Sequence, residues 1–239
     1  MTLDVFSFTD MGGRSENQDS VGMEKKAGTG IFVVADGLGG HQFGQLASNC
    51  VVETLVNKWQ ENKNPDSENL AEWIRAANDA VLAVQAEKQC TTKSTVVVLS
   101  VFEEKAIWAH SGDSRLYYIH NDEIADITED HSVAYIKYKA KEIPRTAIAT
   151  DEDQSSLLRT LGSETRWEPD VSNAVTLKKG DAFLLCSDGF WEYVLDEEIL
   201  IDRLKSISAM EWCALLLLRV AERIRDGSDN LSLITLIVK

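Results

Sequence analysis

The chain lacks the marks of a thiolate-metal, secreted, membrane-spanning or nucleic-acid-binding protein. Its four cysteines, Cys50, Cys90, Cys186 and Cys213, lie far apart with no CxxC pair. Neither a zinc site nor a disulfide framework is signalled, and they read as reduced, mostly buried thiols. No window approaches the ~18 uninterrupted apolar residues of a membrane span. The start, Met1-Thr2-Leu3-Asp4, lacks the basic flank and apolar run of a signal peptide. The expectation is a cytoplasmic protein without membrane association. Positive charge is also scarce: 24 Lys+Arg face 39 Asp+Glu, a formal charge of −15 that repels nucleic acid and anionic membranes. There is no internal repeat, low-complexity tract or linker.

What is present is enough apolar material, 44% of 239 residues, to bury one large core, so a single domain over 1–239 is expected. Leu3 to Phe8 alternates, and Ile31-Phe32-Val33-Val34-Ala35 is a short apolar run of the kind that forms a strand buried on both faces. Helical spacing follows from about Gln45 to Gln60 and again through Leu70, Trp73, Ile74, Ala77, Val81 and Val84. Thr95 to Phe102, Lys105 to Ser111 and Arg115 to His120 read as strands of an antiparallel meander. Tyr138 to Glu168 is a charged surface excursion containing Pro144 and a short helical Leu157-Leu158-Arg159. Ala182 to Cys186 is a second buried strand, and helical spacing resumes after Asp196. Ser208-Ala209-Met210-Glu211 is a capping box opening a helix to about Arg225, and Leu231 to Val238 closes the chain as a strand. Segregated strands and helices imply an α+β layered fold. Trp73 and Trp212 are read as core.

The chemistry is expected where three strands end in a carboxylate beside a glycine: Ala35-Asp36-Gly37, Ser111-Gly112-Asp113 and Ser187-Asp188-Gly189. A strand end holds an aspartate rigidly and partly desolvated, and the glycine admits close backbone approach to a ligand. Asp229, before the last strand, and Asp19, after the first, are placed to join the same edge. Converging carboxylates raise one another's pKa and repel, a conflict that divalent cations resolve. All-oxygen ligation without clustered His or Cys suits Mg²⁺ or Mn²⁺ over zinc. Two such ions sharing Asp36 would acidify a water for in-line attack on phosphorus.

Six segments then carry a resemblance. Thr9-Asp10-Met11-Gly12-Gly13-Arg14-Ser15-Glu16-Asn17-Gln18-Asp19, Ala35-Asp36-Gly37-Leu38-Gly39-Gly40-His41, Gly112-Asp113-Ser114-Arg115, Asp130-His131-Ser132, Ser187-Asp188-Gly189-Phe190-Trp191 and Asp229-Asn230 resemble, in order, the motifs of the type-2C metal-dependent protein phosphatases, especially compact bacterial members. The resemblance spans nearly the whole chain. It implies a four-layer α/β/β/α sandwich of two antiparallel sheets with a binuclear metal site at one end, and hydrolysis of phosphoserine and phosphothreonine in proteins. Carried over residue by residue, it makes Asp36 the bridging carboxylate, the Gly37 carbonyl a ligand of one metal, and Asp188 and Asp229 ligands of the other. Asp19 would act through metal-bound water, Asp113 would bind a third, weaker metal, and Arg14 would grip the phosphate. The two principal metals would be Mn²⁺ or Mg²⁺. A variable flap associated with substrate choice is placed at about 138–168. The implied partners are phosphorylated targets of a Ser/Thr kinase, met by a monomer.

Alternatives remain beside these roles. Asp36 and Asp188 also fit strand-end turns, and Gly112-Asp113-Ser114-Arg115 fits a tight hairpin with Asp113 and Arg115 paired. Arg14 could instead pair with Asp10 or Glu16. His41 is a candidate acid for the leaving alkoxide or a residue of a helix start, and His131 is read as structural. The chain departs from the family pattern in carrying Lys93 where a small residue is usual, Gln18 where many members have Glu, and a divergent flap. Two rival functions are a catalytically silent phosphoprotein-binding relative, whose mark would be a missing metal aspartate, and a hydrolase of small phosphate esters.

Overall fold

The computed structural model describes residues 1–39 and 43–239. The chain opens with strands β1 (Leu3–Asp10), β2 (Asp19–Lys26) and β3 (Thr29–Leu38), followed by helices α1 (Phe43–Glu61) and α2 (Ser67–Lys88). Strands β4 (Lys93–Ser94), β5 (Val96–Phe102), β6 (Lys105–Ser111), β7 (Arg115–His120) and β8 (Glu123–Ile127) come next. Helix α3 (Val133–Lys139) leads into the excursion, which holds a 3-10 turn at Arg145–Thr150. After it come β9 (Asp170–Val171), β10 (Val175–Thr176), β11 (Ala182–Cys186), the short α4 (Asp188–Trp191), α5 (Asp196–Lys205), α6 (Ala209–Arg223) and β12 (Leu231–Val238). No described helix is long and apolar enough to cross a membrane.

The strands form two antiparallel sheets, ordered β1-β12-β11-β7-β8 and β10-β6-β5-β3-β2, with β4 beside β3 and β9 beside β6. Side-chain alternation assigns each strand's two faces to different layers. Along β3, Ile31, Val33 and Ala35 pack with Val51, Leu55, Trp59 and Ile74 of α1 and α2. Phe32 and Val34 instead face Phe183, Leu185, Ile234 and Leu236 of the opposite sheet. Along β12, Leu231, Leu233 and Ile237 pack with Trp212, Cys213 and Leu216 of α6. The result is the expected α/β/β/α sandwich, and the continuous apolar runs are strands covered on both sides. Trp73 and Trp212 are core residues. Of the cysteines, Cys186 and Cys213 are buried, whereas Cys50 and Cys90 are only half-buried.

Three expectations need correction. The three central strands are not a meander: β5 and β6 pair in one sheet, but β7 pairs with β11 and β8 in the other. The edge of β6 is taken instead by β9 and β10, and residues 112–114 carry the chain from one sheet to the other. Leu157-Leu158-Arg159 is not helical. Leu157 bridges Ser132, and the Leu158 N–H donates to the His131 carbonyl at 2.8 Å, so extended pairing satisfies this backbone. The box at Ser208 is displaced by one residue on its return arm. Ser208 Oγ accepts from the Glu211 N–H at 3.1 Å, but the Glu211 carboxylate accepts from Ile207 at 2.8 Å. Lys93 stands exposed on β4, opposite Leu38.

Leu99 is fully buried between the sheets. Leu99→Ala is expected to destabilise the protein by about 2–5 kcal/mol through lost burial and a residual cavity, read as a lowered urea midpoint at unchanged slope.

Candidate active site

The same alternation that builds the core delivers acids to one end of it. Asp36 continues the Phe32–Val34 face of β3, and Asp19 is its cross-strand partner on β2, so both lie at the open end of the sandwich interior. From the facing sheet, Ser187 follows β11 and Ser232 lies on the inner face of β12. The Ser187 hydroxyl donates to Asp19 Oδ2 at 2.7 Å and accepts from the Ser232 N–H at 3.0 Å, tying the sheets together beneath the acids. Asp36 is held through its backbone: its N–H donates to Thr95 Oγ1 at 3.0 Å, and its carbonyl accepts from the Thr95 N–H at 2.8 Å and Ser94 Oγ at 3.0 Å.

Asp188, the first residue of α4, and Asp229, in the loop before β12, approach side by side. Each carboxylate accepts from the N–H of the following residue, Gly189 at 2.7 Å and Asn230 at 2.8 Å. Gly189 is required because a Cβ there would lie 2.1 Å from the Asn230 carbonyl oxygen. Asn230 fastens this loop to the N-terminal motif. Its amide donates to the carbonyls of Met11 at 2.8 Å and Glu16 at 2.9 Å, while its Oδ1 accepts from the Gln18 N–H at 2.8 Å.

Burial first, and then the neighbouring acids, oppose ionisation in this cluster. Burial, then the neighbouring Asp188, Asp19 and Asp113, pushes Asp36 well above the usual carboxylate range. Burial raises Asp19 to about 7, against hydrogen bonds from Ser232 and Ser187. Asp188 is raised to about 6 by burial and then Asp229, and Asp113 is raised by burial and then Asp188. Asp19 Oδ1 and Asp113 Oδ1 are buried with no hydrogen-bond partner among the described residues. Orphaned carboxyl oxygens among acids whose ionisation is opposed are the donor set a hard divalent cation satisfies. The residues present therefore fit such an ion. A cleft of about 410 Å³ lined by Arg14, Glu16, Asp36, Gly37 and Asp229 opens onto this cluster.

The remaining candidates fall as follows. Arg14 pairs with neither Asp10 nor Glu16; its guanidinium makes a two-pronged contact with Asp229, at 3.1 and 2.9 Å. Asp113 does not pair with Arg115. Arg115 is buried and binds both oxygens of Asp130 at 2.8 and 2.7 Å, stacked over Trp191, which leaves Asp113 facing the other acids. His41 lies outside the described residues. His131 is buried beside His110 and Asp170, away from the cleft. Burial, then His110, lowers its pKa to about 4.

Two residues were missed by reading the sequence. Burial, then Asp188 and Asp229, pushes Glu192 up to about 8. Its spacing of four from Asp188 in a helical turn was an available signal. Gln154, whose amide donates to Asp188 Oδ2 at 3.3 Å, comes from the excursion by a contact no local pattern encodes.

A family model described as protein phosphatase 2C matches residues 12–221. The chain belongs to the protein phosphatase 2C family. It is 31% identical over 194 residues to the serine/threonine phosphatase stp of Listeria monocytogenes, covering 78% of this chain and 77% of that protein. It is 29% identical over 204 residues to the protein phosphatase PhpP of Streptococcus pneumoniae, covering 82% of each. The solved serine/threonine phosphatase PstP/Ppp of Mycobacterium tuberculosis superposes with a TM-score of 0.86 over 100% of both chains at 27% identity. A structure of the PstP catalytic domain in complex with two manganese ions gives 0.85 over 99% of both, also at 27% identity. The α/β/β/α sandwich is thus the phosphatase 2C fold, and the acids lie at one end of it.

A carboxyl whose pKa is raised in the folded state, like those of Asp19 and Asp188, stabilises the fold fully below its unfolded value of about 4. That contribution is lost as pH rises through about 6 to 7. In protein stripped of divalent cations, Tm is expected to fall as pH rises from about 5 to 8. Asp36→Asn should flatten that slope. A Tm that climbs over this range would contradict the account of the acids.

Proposed function

We propose that this phosphatase 2C member works as one catalytic domain in which Asp36, the Gly37 carbonyl, Asp188 and Asp229 hold two divalent cations, Mn²⁺ or Mg²⁺. Asp19 supports them through water, and Asp113 holds a third, weaker one. The protein is a serine/threonine phosphatase, and its substrates are phosphoproteins. The observation that carries the site assignment is the gathering of Asp19, Asp36, Asp113 and Asp188 at the sandwich end with raised pKa values and with orphaned oxygens on Asp19 and Asp113.

Bound there, the cations supply an acidified water and positive charge for hydrolysis of the phosphate ester. The protein's own contribution is positional. The Thr95, Ser94 and Ser187 hydrogen bonds fix the acids before substrate arrives, so no reorganisation is needed as charge develops. Arg14, at the rim of the cleft, offers a planar fork to two phosphoryl oxygens by exchanging its Asp229 contact for the substrate. His41 is the candidate acid for the leaving alkoxide. A further hollow of about 480 Å³ between the 3-10 turn and the α4–α5 segment, walled by Trp191 and Glu192, leaves room for substrate chain beside the flap of about 138–168. Phosphoproteins presuppose the Ser/Thr kinase that made them, and the reading is completed by a monomer acting in the cytoplasm.

Asp36→Asn or Asp188→Asn is expected to abolish phosphate release from a phosphothreonine peptide while circular dichroism shows an intact fold. Wild-type rates in either variant would sink the assignment. Chelation should silence the wild type and added Mn²⁺ or Mg²⁺ restore it. Folded protein that binds Mn²⁺ yet never turns over would favour the silent phosphoprotein-binding relative, and preference for small esters over phosphopeptides would favour the metabolite hydrolase. Arg14→Ala should lower kcat/KM by about 10²-fold or more, the scale of one lost charge-assisted phosphate contact.

A further inference from the structure

Outside the acidic cleft, His110, His131 and Asp170 bring potential ligand atoms within 4.8 Å of one another, a composition that suggests a second metal site. Proton accounting argues against it. The His131 ring accepts at Nδ1 from the Gly112 N–H at 3.2 Å, so the neutral imidazole carries its proton on Nε2. That proton points to Asp170 Oδ2 at 3.1 Å. Neither nitrogen keeps a lone pair for a metal. His110 stacks on the ring at 4.6 Å between centroids and 13° between planes, and its Nε2 meets the Glu129 carbonyl at 2.8 Å. Asp170 is engaged on its other oxygen by Arg159 at 2.7 Å.

The cluster instead grips one residue. The His131 backbone N–H donates to the Gly112 carbonyl at 2.9 Å while its ring takes the Gly112 N–H, so a single residue occupies both polar groups of that glycine. Gly112 has φ +109°, and a Cβ there would lie 2.7 Å from Thr95 Cβ and Cγ2. Thr95, with Ser94, holds the Asp36 backbone. The next residue is Asp113, whose carbonyl is pinned from the far side by Trp191 Nε1 at 2.9 Å. The turn that presents Asp113, which only glycine fits at position 112, is therefore clamped between His131 and Trp191. His131 is itself tied to the flap, because its carbonyl accepts from the Leu158 N–H at 2.8 Å and Arg159 follows directly.

We propose that His131 is a positioning residue for Asp113: its ring, oriented by Asp170 and Arg159, clamps Gly112 and so sets the Asp113 carboxylate and the affinity of the cation it holds. The proposal rests on the reading that Asp113 binds the weaker cation. A ligand's supporting hydrogen bonds change metal affinity by about 10–100-fold when removed. Here the support is transmitted through the backbone of the preceding glycine, and it ties the flap to the metal site.

The test is Mn²⁺ binding to the full, chelator-stripped chain by titration calorimetry, alongside the Mn²⁺ dependence of kcat. In His131→Asn, Oδ1 lies near the Nδ1 position and can still accept from Gly112. In His131→Gln, the amide reaches only the Nε2 position. His131→Gln is expected to weaken the lowest-affinity Mn²⁺ step about 10-fold and leave the tighter steps within about 2-fold, His131→Asn to recover most of the loss, and Asp170→Asn to shift the same step in the same direction by less. Equal losses in Asn and Gln, or unchanged binding in both, would overturn the proposal. If neither His131 variant folds, Asp170→Asn decides, an unchanged weak step overturning it. Asp113→Asn separates the two readings. Loss of the weak step in Asp113→Asn but not in the His131 variants defeats the clamp alone, whereas a weak step that survives Asp113→Asn defeats the assignment of Asp113.

Discussion

Several carboxylates, Asp19 and Asp113 buried and Asp36, Asp188 and Asp229 half-buried, lie side by side at the open end of a β-sandwich, and much of the molecule near them is arranged to tolerate that. Isolated, such a cluster would protonate or push the sheets apart, and the raised pKa values of Asp36, Asp19, Asp113 and Asp188 express that tension. The inner apolar faces behind them, Phe32 and Val34 against Leu185 and Ile234, supply the opposing attraction. Hydroxyls bridge the join: Ser187 ties Asp19 on one sheet to Ser232 on the other.

Local chemistry around the cluster follows from the same constraint. Backbone N–H groups of Gly189 and Asn230 turn inward to the acids they follow, and Gly189 is a glycine because the Asn230 backbone passes too close for a side chain. Asn230 gathers the N-terminal motif by three hydrogen bonds, bringing Arg14 to the rim. Arg115 is neutralised by Asp130 rather than by Asp113, which keeps Asp113 available to the site. His131 and Trp191 hold the backbone on either side of that aspartate.

Much of this was legible in the chain. Lys105–Ser111, Arg115–His120, Ala182–Cys186 and Leu231–Val238 are strands at the expected bounds, because apolar, β-branched runs closed by turn residues have few alternatives. The recurrence of Asp-Gly at strand ends pointed to the acids. The pairing of strands was less legible. Nothing local in Arg115–His120 distinguishes a meander partner of β6 from a strand of the opposite sheet, since both would be buried on two faces. The contacts of Arg14 with Asp229 and of Gln154 with Asp188 join residues far apart in the chain, and no spacing rule reaches them.

What the sequence by itself determined is which residues alternate, which strands end in an acid, and which family those endings resemble. These are local properties, set by side-chain period and turn chemistry. Only the tertiary structure decided how the acids meet: that Asp19 lies opposite Asp36 in register, that the segment after β6 crosses between sheets, and that His131 closes on Gly112. Those outcomes depend on how two sheets stack and twist against each other, a choice made by the whole core and visible in no single stretch of chain.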